Sequence, residues 1–445
     1  MRKLLICSPS HALRGGVETI VNDLCRELPQ RGWDVTLALG KGARFNNVEA
    51  YRNAYPDLPI VAIDGTTGTR HGRLKSLTKL IKSTVPDVVL SARIIDAYEV
   101  AATLKNRRIG PRLAVAVRAY EPHYLYDARL YRDCIDLCVA DGKLLTAALI
   151  EWSGFAPDRV ANVPGGIQPP HLRIPPRQLK RQLRLGYVGR LEQSQKRILD
   201  LIPLVYLLNQ GHIDYSLDII GTGPEESNLK EGLREGINCN RVRFHGWQDH
   251  ESLYQRFFPE MDCLIHLAHT EGVTIAPREA MVHGVVPVIS QFTGLKSENL
   301  FVHGWNCLTF PAGEVTKAAA NITRLIHDPE LLHRLSINTK QSQTGPYSLI
   351  GSMDAWATAL NRCLEQAPAS GPAPKLNLPA DGRLTRMGIP PKVAQYVRDL
   401  FGKKYEHSDP GSEWPTNTGL MTNVEADEIM QFALDYEARI DASRH

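Results

Sequence analysis

The sequence predicts an α/β protein made of two successive doubly wound parallel-sheet domains and a C-terminal helical appendage. Its 445 residues are too many for one hydrophobic core. Short runs that are apolar throughout alternate with helical patterns, which is typical of parallel sheets covered by helices on both faces. This alternation stops at a stretch rich in proline and basic residues, 169–184, and then begins again. Two domains joined by a linker are therefore expected.

The first predicted domain covers residues 1–168. A helix is expected over 17–32, where apolar residues recur with the spacing of one helix face. Strands are predicted at 3–9, 34–40, 87–92, 113–119 and in the segment that starts at residue 135.

The second predicted domain covers residues 169–346 and begins with the linker. It contains an expected helix over 197–210 and strands at 183–190, 215–226, 241–247, 262–269 and 285–290. A closing helix is expected at 347–367, and residues 368–445 form a linker and a helical appendage of unknown purpose. Because such sheets bind ligands at the carboxyl ends of their strands, a cleft between the two carboxyl edges is the expected binding site.

The composition bears on the class of protein. Apolar residues make up 43% and charged residues 22% of the chain, and a net charge of +4 gives no reason to expect nucleic acid binding. The longest apolar runs are too short to span a membrane, and the N-terminal run is typical of a strand, so a cytoplasmic protein is expected. No two of the eight cysteines form a CxxC motif, which favours buried free thiols over disulfides or a zinc site.

The stretch "HTEGVTIAPREAMVHGVVPVIS", residues 269–290, sets two glutamates around the start of a helix. Thr274 is the expected N-cap, and the free N–H groups of the first turn would attract a phosphate. Because a carboxylate repels phosphate, Glu271 and Glu279 are expected to accept hydrogen bonds from sugar and ribose hydroxyls instead. Spacing alone favours a plainer interpretation, in which Glu271 is a loop charge and Glu279 a solvated helix residue.

Two basic residues follow the first strand of the second domain. Arg190 and Lys196, six residues apart in "GYVGRLEQSQKR", could converge on a diphosphate. A departing nucleoside diphosphate needs this neutralisation of its developing charge. A pair of exposed surface bases is the alternative, which the spacing alone favours.

Glycine turns follow two other strands. Gly15 and Gly16 lie between the first strand and its helix, where they let backbone approach a ligand closely. Gly223 lies in a similar turn, "GTGPEE". Neither turn is G-x-G-x-x-G, which disfavours a dehydrogenase, and each by itself also fits a simple tight turn.

Taken together, "RGGVET", "VPGGI", "GYVGRL" with Lys196, "IIGTGPE" and "EGVTIAPREAMVHGVVPV" resemble the retaining glycosyltransferases of family 4, also called glycosyl transferases group 1. The resemblance extends over residues 1–366 and is stronger in the second half. It implies the GT-B fold, with two Rossmann-like domains facing a cleft that holds the active site. It also implies transfer of a sugar from a nucleotide-diphosphate-sugar to an acceptor hydroxyl, with retention at the anomeric carbon and without a metal or other cofactor.

The resemblance also implies roles for particular residues. Arg190 and Lys196 would hold the donor diphosphate. Glu271 would contact the donor sugar, and Glu279 the ribose. Further donor contacts would come from Gly15, Gly16, Gly223, His245, Thr274 and Ile275.

One position of the first domain departs from the family pattern. Many members have a histidine at the end of the strand that here is "AVAVRAYEPH", and Arg118 stands at that place. Either Arg118 takes over the sugar contact as a catalytic residue, or His123 or Glu121 approaches from the following loop, or the acceptor chemistry differs.

The implied mechanism is front-face substitution, in which the diphosphate leaves from the face that the acceptor hydroxyl attacks and takes up the hydroxyl proton. No protein nucleophile is then required, and positioning with charge neutralisation supplies most of the acceleration. Domain closure about residues 169–184 and 347–366 would exclude water.

The expected partners are a nucleotide-sugar donor and a glycan, lipid-linked or small-molecule acceptor, with no nucleic acid. Basic residues at 105–112, with Arg118, Arg129 and Arg132, favour an anionic acceptor or a peripheral contact with the inner face of a membrane, and equally fit a solvated face. Two other functions stay open: a catalytically impaired nucleotide-sugar or glycan-binding protein on this fold, and a partner-binding role for residues 368–445. The sequence names neither the donor, nor the acceptor, nor the oligomeric state.

Overall fold

The computed structural model describes residues 1–13, 15–106, 110–170, 174 and 182–443. The chain divides into two compact units. The first consists of Met1–Val163 with Met353–Phe432, and the second of Pro164–Ser352 with Ala433–His445. The predicted domain boundaries after residues 168, 346 and 367 stay predictions. Most of the predicted linker, residues 171–173 and 175–181, lies outside the described residues.

The first unit contains a seven-stranded parallel sheet in the order β3-β2-β1-β4-β5-β6-β7. The strand order reverses at β1, which is the arrangement of a doubly wound sheet. The sequence pattern did not predict β3 or β7, which are five and three residues long. The strands are β1 (Arg2–Pro9), β2 (Trp33–Lys41), β3 (Ile60–Asp64), β4 (Val88–Ser91), β5 (Arg112–Val117), β6 (Leu137–Ala140) and β7 (Val160–Asn162).

Six helices connect these strands. The helix expected at 17–32 ends at Glu27 and continues as a 3-10 turn, Leu28–Arg31, because Pro29 has no N–H to donate within an α-helix. The six are α1 (Gly16–Glu27), α2 (Val48–Ala54), α3 (Arg70–Thr84), α4 (Asp96–Asn106), α5 (Pro122–Leu130) and α6 (Lys143–Ala147).

The second unit contains a six-stranded parallel sheet in the order β10-β9-β8-β11-β12-β13. All of its strands except β13 were predicted, and β8, β9, β10 and β11 end earlier than predicted. They are β8 (Leu183–Val188), β9 (Tyr215–Ile220), β10 (Val242–Gly246), β11 (Cys263–His266), β12 (Val286–Gln291) and β13 (Leu308–Pro311). Both sheets are thus Rossmann-like, as predicted.

Helices cover the second sheet, and its largest hydrophobic core includes residues of both the strands and these helices. Arg197 has a left-handed backbone with φ of 50°, so the helix expected from residue 197 starts after it, as a 3-10 turn over Ile198–Asp200 that becomes α-helical at Leu201. The helices are α7 (Leu201–Gln210), α8 (Glu226–Gly232), α9 (Arg234–Asn238), α10 (His250–Ser252), α11 (Ala276–Val282), α12 (Leu295–Glu298), α13 (Val315–His327) and α14 (Pro329–Gln341).

The C-terminal part is helical with long connections. At the site of the expected closing helix the structure has α15 (Leu349–Glu365). The appendage then forms α16 (Gly382–Arg386), α17 (Pro391–Leu400), α18 (Pro410–Glu413) and α19 (Asn423–Ser443). Among the described residues, no helix combines the length and the apolar character needed to cross a membrane.

The appendage contributes a side chain to the hydrophobic core of the first unit. Trp414 is fully buried in the cluster that also contains Leu5 and Ile63. Its indole Nε1 donates a hydrogen bond of 3.2 Å to the carbonyl oxygen of Lys41, at the end of β2. A Cβ at Gly40 would lie 2.7 Å from the indole ring, so only glycine lets β2 approach it this closely.

The neighbouring Glu413 stabilises the loop after β2. Its buried carboxylate accepts backbone N–H hydrogen bonds from Arg44 and Phe45, both at 2.9 Å, and from Asn46 at 2.8 Å. Burial alone would raise the pKa of Glu413, but these donors lower it. The appendage up to Phe432 is therefore an integral part of the first unit.

Candidate active site

Three loops meet at the carboxyl edge of the second sheet, after β8, β9 and β11. The N–H of Leu191 donates to the carbonyl of Thr222 at 3.0 Å, which joins the first two loops. The N–H of His269 donates to the carbonyl of Gln195 at 3.1 Å, and the Gln195 side chain donates to the carbonyl of Thr270 at 3.0 Å. These bonds hold the segments that contain Arg190, Lys196 and Glu271 beside one another.

Glu192 orders the loop after β8, and sequence reasoning missed it. Its buried carboxylate accepts hydrogen bonds from the N–H groups of Gln195 at 3.2 Å and Lys196 at 3.1 Å, and from the hydroxyl of Ser194. Burial alone would raise the pKa of Glu192, but these hydrogen bonds lower it. An ionised Glu192 thereby sets the path of the backbone that presents Lys196.

Lys196 and Glu271 form a largely buried ion pair between the first and third loops. His266, at the end of β11, places its Nε2 3.4 Å from the same carboxylate oxygen of Glu271. Burial acts to raise the pKa of Glu271, yet Lys196 and His266 lower it to about 2. Burial in turn lowers the pKa of His266. The site therefore holds an anionic carboxylate at neutral pH, with a cation already paired to it.

Sequence reasoning did not select His266. The predicted strand ran to residue 269, so only the structure shows that His266 is the last residue of β11 and lies at the ligand edge of the sheet.

Arg190 lies at the exposed turn directly after β8. Its carbonyl accepts a hydrogen bond of 3.0 Å from the buried hydroxyl of Tyr187. Within the part of the chain that the structure describes, the Arg190 guanidinium makes no hydrogen bond or ion pair. This cation is thus available to an anion that arrives at the carboxyl edge.

The turn with Gly223 packs against the Arg190 turn. A Cβ at Gly223 would lie 2.2 Å from the carbonyl oxygen of Leu191, so a larger residue would push the two loops apart. His245, on the edge strand β10, lies 2.7 Å from Asp218 and contacts the ring of Phe257 edge-on. The donor-binding roles of Gly223 and His245 stay predictions.

Helix α11 differs in detail from its prediction. Its N-cap residue is Ile275, and no side chain caps the helix, so the expected Thr274 cap is wrong by one position. Thr274 is buried directly before this turn. Glu279 is also buried, with its Oε1 3.5 Å from Nε2 of His250. The alternative of a solvated Glu279 is therefore wrong, while its proposed ribose contact stays a prediction.

The remaining predicted site residues lie in the first unit. Gly15 and Gly16 are exposed at the start of α1. Arg118 is buried, with its guanidinium 3.0 Å from the carboxylate of Asp141 and donating to the carbonyl of Val163 at 2.7 Å. Burial lowers the pKa of Arg118. These contacts give Arg118 a structural role within its unit, and its sugar contact stays a prediction.

A separate cavity of about 140 Å³ lies at the carboxyl edge of the first sheet. Helices α3 and α4 begin there, and the appendage forms the opposite wall with Leu378, Asn417 and Thr418 among its residues. Arg73 pairs with Asp96 at 2.5 Å, yet its buried Nη1 has no hydrogen-bond partner among the described residues. The cavity therefore has both polar and apolar walls.

Comparisons with known proteins bear on the fold and on the second unit. Residues 173–342 match the family described as "Glycosyl transferases group 1". A search of the curated proteins gives no match. Among the described residues, no group of three or more His, Cys, Asp or Glu side chains is arranged to hold a metal ion.

Solved structures share the fold at low identity. HepE from Anabaena, in complex with UDP and glucose, is 17% identical with a TM-score of 0.63. The match covers 81% of this chain and 100% of the HepE chain. Sucrose-phosphate synthase from Thermosynechococcus elongatus is 15% identical with a TM-score of 0.67, and the match covers 82% of this chain and 100% of the synthase chain. The pneumococcal O-GlcNAc transferase GtfA, in complex with UDP and GlcNAc, is 12% identical with a TM-score of 0.67, and the match covers 82% of this chain and 99% of the GtfA chain.

The fold is GT-B, as the resemblance predicted. Residues 173–342 match a glycosyl transferases group 1 domain, and the enzyme class is that of a glycosyltransferase.

Proposed function

We propose that this protein is a retaining glycosyltransferase of family 4 that moves a sugar from a nucleotide-diphosphate-sugar to an acceptor hydroxyl, in glycan, glycolipid or glycoconjugate biosynthesis. One observation carries the proposal. The exposed guanidinium of Arg190 and the buried Lys196–Glu271 pair lie on loops that are hydrogen-bonded together at one sheet edge. Such an edge suits a ligand that contains both a diphosphate and a hydroxylated ring.

In this proposal, Arg190 and Lys196 bind the donor diphosphate. Arg190 supplies a planar fork of donors, and Lys196 a point charge that it shares between Glu271 and a phosphate oxygen. As the bond from the anomeric carbon to the diphosphate oxygen breaks, its electron pair stays on that oxygen. Both cations then stabilise the added negative charge, which lowers the barrier.

The acceptor hydroxyl attacks the anomeric carbon from the side that the diphosphate leaves. A new carbon–oxygen bond forms there, and the hydroxyl proton passes to the departing diphosphate. Retention follows because attack and departure share one face. The reaction requires no protein nucleophile, metal or other cofactor, since two side-chain cations neutralise the leaving group.

Two carboxylates orient the donor in this proposal. Glu271, which is anionic because its pKa is about 2, accepts hydrogen bonds from the sugar hydroxyls. Glu279 accepts them from the ribose, and His250 positions its carboxylate. Thr274, Ile275, Gly15 and Gly16 would contribute backbone contacts, and Gly223 and His245 would lie near the base.

Turnover separates this function from the binding-protein alternative. A thermal-shift screen of nucleotide-sugars should find a donor that raises the melting temperature, because it binds only the folded state. Uridine diphosphate sugars come first, since HepE and GtfA are solved with UDP. Acceptor-dependent release of nucleoside diphosphate, unchanged by EDTA, is then expected. A stabilising donor that never releases its diphosphate with any glycan, lipid-linked or small-molecule acceptor would instead support the binding protein.

We assign the acceptor to the cavity of the first unit. A volume of about 140 Å³ has room for roughly five waters at about 30 Å³ each, and the polar side chains of Asp96, Asn417 and Thr418 among its lining residues suit the hydroxyls of an acceptor. The free space also lies at the sheet edge where such folds bind ligands.

Filling this cavity should weaken acceptor binding selectively. Leu378→Trp places an indole in the cavity. We expect the KM for the acceptor to rise by about tenfold, because the acceptor would lose its contacts with the cavity walls. The KM for the donor should stay unchanged. Asn377→Trp is the matched control, since this neighbouring residue is exposed and does not line the cavity. Equal acceptor KM values in both variants would refute the assignment.

A further inference from the structure

The outward face of α17 is apolar although it faces solvent. Tyr396 is 70%, Leu400 68% and Val393 49% exposed. These three residues lie on one side of the helix, since positions three and four apart share a face. Ala394 and Gln395, on the opposite side, are buried. The helix thus attaches to the first unit by one face and presents an apolar ridge on the other.

Two residues that flank the helix in the sequence are also apolar and exposed. Met387, before the helix, is 70% exposed, and Phe401, directly after it, is 69% exposed. Five large apolar side chains within fifteen residues are more than the scattered exposure that is normal for a soluble surface. An exposed cluster of this kind indicates a surface that another molecule covers.

The segment that contains α17, residues 382–404, has a high net positive charge. Residues 382–404 contain six basic residues and one acid, a net charge of +5, whereas the whole chain has +4. Arg398 donates to the carbonyl of Asp381. The other five basic side chains form no ion pair within the described part of the chain: Arg383, Arg386, Lys392, Lys403 and Lys404.

We propose that residues 382–404, here called the basic apolar surface, bind the anionic surface of a lipid bilayer. Exposed aromatic and aliphatic side chains enter the boundary between headgroups and acyl chains, and the surrounding lysines and arginines attract anionic headgroups. A second copy of the chain fits less well, because two surfaces of net charge +5 would repel each other. The membrane contact of this proposal thus lies on the appendage.

This binding does not depend on the proposed transfer reaction. It would bring the first unit, with its acceptor cavity, to the membrane surface, which suits a lipid-linked acceptor. Vesicle binding and sugar transfer are measured separately, so either proposal can fail while the other stands.

Vesicle co-sedimentation of the full-length protein tests the surface. The protein should bind vesicles of phosphatidylcholine mixed with phosphatidylglycerol, and not phosphatidylcholine alone. Tyr396→Ser/Leu400→Ser and Lys403→Gln/Lys404→Gln should each weaken this binding by about tenfold or more, since each basic residue near an anionic surface contributes about a fivefold change.

Matched controls remove similar groups elsewhere. Tyr206→Ser/Ile350→Ser replaces side chains that are 61% and 67% exposed in the second unit. Lys317→Gln/Arg334→Gln removes two exposed cations. Both controls should bind vesicles like the unchanged protein. Melting temperatures should stay the same in all four variants, because the replaced side chains are exposed.

Three results would overturn the proposal. The unchanged protein could fail to bind anionic vesicles. The test variants could bind as well as their controls. Finally, sedimentation velocity without lipid could reveal a dimer that Tyr396→Ser/Leu400→Ser abolishes, in which case a second copy covers the surface.

Discussion

The variants Arg190→Ala and Lys196→Ala are expected to lose at least about 100-fold in sugar transfer, because each removes a cation that stabilises the leaving diphosphate. The loss should fall on kcat more than on KM, since the charge develops in the transition state. Steady-state kinetics with the donor found by thermal shift measure it.

The two variants should differ in stability. Arg190 is exposed, and its guanidinium makes no hydrogen bond or ion pair in the described structure, so its removal should change the melting temperature little. Lys196→Ala leaves the buried carboxylate of Glu271 without its cation, which costs about 3–5 kcal/mol for a fully buried pair and less here, where the lysine is partly exposed.

A second replacement separates the two effects of Lys196. In Lys196→Met/Glu271→Gln no unpaired charge remains, so stability should recover while transfer stays low. Arg334→Ala, an exposed cation of the same unit, serves as the control and should be fully active. Normal transfer by Arg190→Ala and Lys196→Ala would show that the diphosphate assignment is wrong.

Replacing Trp414 with alanine is expected to destabilise the protein by about 3–5 kcal/mol, the cost of removing a fully buried aromatic side chain. The cavity would open between the appendage and the ends of β2 and β3, where Gly40 and Gly65 lie against the indole. Chemical denaturation gives the change in free energy of unfolding.

Trp305→Ala is the matched control, because Trp305 is 41% exposed and its replacement leaves no cavity. Deletion of residues 368–445 should be more severe, since it also removes Glu413 from the loop after β2. A deleted protein that folds and transfers sugar normally would contradict this, and would support an appendage that serves only partner binding.

Much of the fold could be predicted because the signal is local. Apolar runs of strand length, separated by helix-period segments, identify parallel sheets regardless of what packs on them. The shortest strands, β3 and β7, could not be found in this way, because they have few residues over which a pattern can repeat.

Part of the candidate site could also be predicted. Arg190, Lys196, Gly223 and Glu271 all follow strands of one parallel sheet, and the carboxyl ends of such strands share an edge. That these residues lie close together therefore follows from the topology of the sheet. What could not be predicted is which side chains pair, because pairing depends on distances of a few ångströms between separate loops.

The sequence by itself determined the two doubly wound sheets and the edge at which the basic and acidic groups of the site lie, since both follow from local periodicity and strand direction. Only the tertiary structure decided that Lys196 pairs with Glu271 beside His266, that Arg118 is engaged by Asp141, and that Trp414 enters the core of the first unit. The physical reason is that these contacts join residues far apart in the chain, where burial and packing select partners that no local pattern records.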